Sequence, residues 1–83
     1  PNVVLGEGCK IGAGAIVRDT VLWDGVIIGE RAIVEGAIIA SDAQIGIDAR
    51  VHAGSVIGHD AVVLEGEVLG PDSRVGAKAP IPR

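Results

Sequence analysis

Aliphatic residues recur along this chain with a fixed step. They fall at Leu5, Ile11, Val17, Leu22, Ile28, Val34, Ile39, Ile45, Val51, Ile57, Val63, Leu69, Val75 and Ile81. The spacing is six, shortened to five after Val17 and again after Val34. Six is not a helical period, and a hairpin needs a strand and a turn every 8 to 12 residues or so. The pattern predicts a very short strand, one inward anchor and a tight corner, repeated. Four residues beyond each anchor stands a small or β-branched residue: Cys9, Ala15, Val21, Val26, Ala32, Ile38, Ala43, Ala49, Ser55, Ala61, Ser73 and Ala79, with Glu67 the exception. Glycine follows the anchor directly at Gly6, Gly12, Gly29, Gly46, Gly58, Gly70 and Gly76.

The two shortened repeats lie three repeats apart, so every third repeat is expected to stack on its predecessor. The anchors then sort onto three faces. The first carries Leu5, Leu22, Ile39, Ile57 and Val75; the second Ile11, Ile28, Ile45, Val63 and Ile81; the third Val17, Val34, Val51 and Leu69. Both deletions fall at the same place in the coil. The expected fold is an all-β triangular solenoid of parallel strands, three hexapeptides to a coil and about four and a half coils, forming one domain over residues 1–83.

Composition agrees with this reading. Val (12) and Ile (11) far outnumber Leu (4), 13 residues are Gly, and there is one Trp with no Phe, Tyr or Met. This balance disfavours helices, and the aliphatic content argues against disorder. The net charge is −4 and the seven cations are scattered, which argues against nucleic acid as a partner. No signal-peptide pattern and no run of about 20 apolar residues is present, so no membrane association and a cytoplasmic location are expected. The lone Cys9 has no disulfide partner in this chain.

The aliphatic-Gly-x-x-small-x hexapeptide, running from Leu5 to about Ala79, resembles the left-handed parallel β-helix of hexapeptide-repeat transferases. The left hand is implied by that resemblance, because the general rule for parallel crossovers is right-handed. The stretch VLWDGVIIG at 21–29, followed by AIIA at 37–40, is similar to the C-terminal solenoid of sugar-nucleotide pyrophosphorylases, mannose-1-phosphate guanylyltransferases in particular. The resemblance implies that the active site of such a protein lies in an N-terminal nucleotide-binding domain marked by a Gly-rich loop with Arg and Lys. No such loop occurs here, since the glycines are spaced by the coil, so no catalytic residue and no cofactor is expected within these residues.

The alternatives centre on few side chains. Hexapeptide acyltransferases, similar in fold, use a His near a loop that juts from the solenoid to act on acyl-CoA; here His52 and His59 are available, but no spacing between anchors exceeds six. His52 is expected in an outward ladder with Arg18 and Glu35, and His59 on a corner beside Asp60 and near Asp42. Those two Asp occupy equivalent positions, so an oxygen-rich divalent site has to be weighed against a solvated corner, and the corner is favoured. Two His on different faces do not suit the three-His zinc site of the carbonic anhydrases of this fold class. Cys9 at an inward corner position is read as packing. Glu67 at an inward position implies either a corner open to solvent, the preferred reading, or a cationic partner.

The outer side of the first face is the most suggestive feature. Val4, Trp23, Ala40 and Val56, alternating with Gly6 and Gly58, form an apolar strip around the single aromatic residue, with Val21 and Ile38 as further candidates. Such a strip is expected to be an interface. At the start of the chain Pro1-Asn2 leads straight into the first strand, so that rim is expected to present unpaired backbone edges and to continue a longer chain; Pro80-Ile81-Pro82 can stop strand addition at the other. The sequence therefore points to a structural and oligomerisation domain of a sugar-nucleotide pyrophosphorylase, its partners a second copy and an N-terminal nucleotidyltransferase domain. An acyltransferase domain and a stand-alone protein-interaction scaffold are the alternatives.

Overall fold

The computed structural model describes residues 3–76, and Lys78, Ala79, Ile81 and the two terminal prolines at Pro80 and Pro82 lie outside them. Among the described residues every regular element is a strand of two or three residues: β1 (Val3–Leu5), β2 (Lys10–Ile11), β3 (Ile16–Arg18), β4 (Thr20–Leu22), β5 (Ile27–Ile28), β6 (Ile33–Glu35), β7 (Ile38–Ile39), β8 (Gln44–Ile45), β9 (Arg50–Val51), β10 (Val56–Ile57), β11 (Val62–Val63), β12 (Val68–Leu69) and β13 (Arg74–Val75). Each strand pairs in parallel with the third strand after it, giving sheets ordered β1-β4-β7-β10-β13, β2-β5-β8-β11 and β3-β6-β9-β12. This is the triangular parallel β-helix that the repeat predicts, of about four coils and consistent with the left hand.

Register follows the anchors. Leu5 pairs with Leu22, Leu22 with Ile39, and Ile57 with Val75 on the first face. Ile28 pairs with Ile45, and Val34 with Val51, on the other two. Successive side chains in a strand point to opposite faces, so each anchor turns inward and its predecessor outward. Leu22, Ile28, Val34, Ile39, Ile45, Val51, Ile57 and Val63 are accordingly buried, and the alanines at 32, 43, 49 and 61 fill the corners between them.

The corners have a conformation of their own. Three residues beyond the anchor the backbone enters the left-handed region, at Gly8, Gly14, Gly25, Arg31, Asp42, Asp48, Gly54, Asp60, Gly66 and Asp72; in the two shortened repeats Asp19 and Gly36 do so two residues beyond. The small residue then donates its N–H to the carbonyl three residues back, as Ala32 does to Gly29 (3.2 Å) and Ala49 to Gly46 (3.2 Å). Positive φ at the third turn position alone defines a type II turn, which asks for Gly or a short polar residue there. The left-handed residue also ties coils together: Gly25 donates to Glu7, Asp42 to Asp24 and Asp60 to Ser41, at 2.8–3.0 Å.

Glycine directly after the anchor has a different reason. A Cβ on Gly12, Gly29 or Gly46 would lie 2.6 Å from the backbone nitrogen of Glu30, Ile47 or Glu65 respectively, so the next coil fits only because none is there.

The shortened repeats resolve one open point. Val21 and Ile38 fall at the fourth place after their anchors, yet are also candidates for the outward strip. The loss of one residue moves the small inward role to Thr20 and Ala37, both buried, and turns Val21 and Ile38 outward on β4 and β7. The Thr20 hydroxyl donates to the Arg18 carbonyl (2.7 Å) and accepts from Ala37 N–H (3.4 Å), satisfying the tighter corner internally.

Candidate functional site

Pairing across the first face fixes what lies outside it. The outward column reads Val4, Val21, Ile38, Val56 and Arg74, since Val4 pairs with Val21, Val21 with Ile38, Ile38 with Val56, and Val56 with Arg74. Val4 is 60% exposed, Ile38 45%, and Val21 and Val56 are half-buried. The corresponding columns are broken by polar residues elsewhere: Lys10, Ile27, Gln44 and Val62 on the second face, and Ile16, Ile33, Arg50 and Val68 on the third. The first face is therefore the most continuous apolar surface. Arg74 ends the column with a cation, its Nη1 donating to the carbonyls of Gly54 (2.9 Å) and Asp72 (3.1 Å).

Beside this column runs a second one at the corner, Gly6, Trp23, Ala40 and Gly58, one residue past the paired anchors. Its small members leave the indole of Trp23 projecting, 55% exposed. The four residues expected to form an interface thus occupy two adjacent columns, Val4 and Val56 in one, Trp23 and Ala40 in the other. Val21 and Ile38, which the sequence left undecided, complete the first.

The polar candidates are placed as follows. Arg18 and Glu35 form an exposed ion pair at 3.3 Å, worth about 0.2–1 kcal/mol in such a setting. His52 stands next in that column, half-buried, with its backbone N–H bonded to Leu69 (3.2 Å). His59 lies exposed on a corner with Nδ1 3.1 Å from Asp60. Asp60 and Asp42 stand above one another at left-handed positions, and with Gln44 and Val62 they line a shallow, open depression. Among the described residues no three His, Cys, Asp or Glu side chains converge as a metal-binding group. His52 and His59 are not brought together, lying on different corners.

Cys9 is half-buried and its Sγ donates to the Trp23 carbonyl at 3.0 Å, a packing role that also steadies the backbone carrying the indole. Glu67 is exposed, in agreement with the open-corner reading, and its Oε1 accepts from Leu64 N–H at 2.9 Å. In the coils before, the residue at this position donates to the next coil, as Gly29 does to Ile45 and Gly46 to Val63. Glu67 thus takes up the Leu64 N–H within its own corner.

One exposed bidentate pair escaped sequence reasoning. Arg31, in the left-handed region at φ 61°, binds Asp48 one coil on through two parallel bonds, Nε to Oδ1 at 2.9 Å and Nη2 to Oδ2 at 3.0 Å. The hydrogen bonds from Arg31 hold the Asp48 carboxyl below its ordinary titration range, and Asp48 in turn raises Arg31. The signal was the column itself: Gly14, Arg31, Asp48 and Gly66 share one corner position.

Against this geometry, comparison with known proteins gives a consistent result. The family model described as the GMPPB C-terminal domain matches residues 1–78. Curated relatives named Bifunctional protein GlmU are similar as well. That of Anaeromyxobacter sp. (strain Fw109-5) is 44% identical over 67 residues, covering 74% of this chain and 14% of the relative. That of Marinobacter nauticus is 35% identical over 54 residues, covering 65% and 12%, and one from Acidithiobacillus ferrooxidans is 39% identical over 67 residues, covering 74% and 15%. The chain therefore spans only about one seventh of the length of the curated relatives it matches. No solved structure matches it.

Proposed function

This chain belongs to the family of the GMPPB C-terminal domain, and from that premise we propose that it serves as a non-catalytic structural and oligomerisation domain within a sugar-nucleotide pyrophosphorylase. The chemistry, nucleotidyl transfer to a sugar 1-phosphate, belongs to an N-terminal domain of the same protein. The solenoid supplies rigidity and contact surface, and its first face joins it to a second copy. The family match along nearly the whole chain carries this reading, and the continuity of the apolar first face around Trp23 gives it a surface to act through.

Two observations test it. The gene encoding this chain is expected to specify, upstream of Pro1, a Gly-rich loop followed by Arg and Lys in a strand-to-helix context; its absence would end the reading. In the parent protein, His52→Ala and His59→Ala should leave nucleotidyl transfer unchanged. If the parent instead transfers an acyl group from acyl-CoA and loses that activity with either substitution, the solenoid is an acyltransferase domain.

A further inference from the structure

The first face has a relief that repeats from coil to coil. Its outward column, Val4, Val21, Ile38 and Val56, stands up as a ridge, with Val4 60% and Ile38 45% exposed. Two residues further along each strand runs the column Gly6, Trp23, Ala40, Gly58 and Gly76, which apart from the indole is a groove floored by small residues. Past the groove the corner is acidic: Glu7, Asp24, Asp42 and Asp60 are all exposed. The opposite edge of the face is uncharged where Val3, Thr20, Ala37 and Ser55 stand one residue ahead of the ridge.

Two copies can meet symmetrically through this face with their solenoids antiparallel or parallel, and the relief separates the two. In the antiparallel case β1 lies opposite β13, ridge falls on ridge and groove on groove. Ala40 then meets only the partner's Ala40, and the acidic corners face one another, Asp24 toward the partner's Asp60 and Asp42 toward the partner's Asp42. Like charges so placed are unfavourable, and a groove facing a groove forfeits contact. In the parallel case a two-fold axis runs along the solenoids between ridge and groove, and each layer meets the same layer of its partner. Every ridge side chain then lies over the other copy's groove: Val4 on the partner's Gly6, Ile38 on the partner's Ala40, Val56 on the partner's Gly58, with Trp23 closing over the partner's Val21. Each contact occurs twice by symmetry. The acidic corner meets the uncharged edge at Thr20, Ala37 and Ser55. Arg74 meets the partner's Gly76 rather than a second Arg74, its Nη1 being bound on the far side of the ridge to the carbonyls of Gly54 and Asp72.

We propose that the first face takes a second copy of this chain in the parallel, layer-matched arrangement, the ridge of each solenoid seated in the groove of the other. The proposal rests on the reading of the first face as the assembly surface, and it adds the geometry that decides which residues meet. Shape and charge both favour it: large side chains oppose small ones along the column, and no two carboxylate corners are brought together.

Cross-linking of the full-length parent through introduced cysteines tests this. Val4→Cys treated with a short bis-maleimide should link to the same position of a second copy, read by mass spectrometry of the joined peptides, because the two positions share a layer. In the antiparallel arrangement they lie four layers, about 19 Å, apart. There, co-expressed Val4→Cys and Arg74→Cys chains link to one another instead, a result that would overturn the parallel arrangement and leave the first face as the interface. An oligomeric parent in which neither Val4→Cys, nor Ile38→Cys, nor the co-expressed pair links would overturn the first-face reading itself. As a second readout, Ala40→Leu fills the groove where the partner's Ile38 sits and should raise the dissociation constant of the copies about tenfold, with the circular dichroism unchanged. An unchanged dissociation constant would contradict the seating, since against the partner's Ala40 the added side chain has room.

Discussion

Glycine serves two purposes in this molecule, and they are separable by substitution. At Gly29 the backbone is ordinary but the space is not, since a Cβ would lie 2.6 Å from Ile47 N and 2.7 Å from the Gly46 carbonyl carbon. At Gly66 the space is open, but φ is +71°. Gly29→Ala should therefore force two coils apart and cost about 1–3 kcal/mol. Gly66→Asp should cost less than Gly66→Ala, about 1–2 kcal/mol for the latter, because Asp tolerates the left-handed region. Denaturant unfolding of the four proteins, wild type included, checks the order. The sequence displayed the first class of glycine openly, directly after the anchors. The second was hidden because Gly, Arg and Asp share its column, and only the common backbone conformation unites them. Arg31 was harder still, being a poor left-handed residue whose place depends on a partner 17 positions away. The Asp48 carboxyl is held below its ordinary range, so its contribution is complete at neutral pH and is lost as the pH falls through the acid range where the folded protein takes up that proton. Asp48→Asn should remove that part of the acid sensitivity, leaving a shallower loss of Tm below pH 4 or so than in the wild type.

A single coil cannot bury its own anchors; stacking does that, at about 4.8 Å per layer. Replacing Ile28 or Ile45 by Ala should cost about 2–5 kcal/mol, because a ladder of paired backbones cannot collapse around the void. Thr20 offers a sharper test. It is 1% exposed, and its hydroxyl serves both Arg18 O and Ala37 N–H. Thr20→Val keeps the shape but strands the Ala37 N–H, while the Arg18 carbonyl keeps its bond from Gly36 N–H (2.9 Å), so it should cost about 1–3 kcal/mol despite adding an apolar methyl. An unchanged midpoint in urea for Thr20→Val would show that the shortened corners hold without it. Strand pairing, the three faces and the inward anchors were legible from the six-residue step because each coil repeats the same geometry. The shortened repeats were less so: a deletion preserves the anchor count while moving the small residue from the fourth to the third place, and nothing in the local pattern distinguishes Thr20 from Val21.

At the scale of the molecule, the first face is apolar along its outward column from Val4 to Val56. Val4, Val21, Ile38 and Val56 form its outward column, Trp23 projects beside them, and Arg74 at its end is turned to backbone carbonyls. The sequence identified Val4, Trp23, Ala40 and Val56 by their place in the repeat. The register adds Val21 and Ile38, whose direction only the corner geometry could decide. A large aromatic projecting beside an aliphatic column is the arrangement that dominates association energies when it is desolvated, so its loss should be felt across the interface as a whole. If this domain assembles its parent protein through the first face, sedimentation velocity of the full-length protein at low micromolar concentration is the direct test. The wild type should sediment as an oligomer and Trp23→Lys as a smaller species, with the fold retained. A wild type that is already monomeric, or a Trp23→Lys variant that sediments like the wild type, would contradict the account.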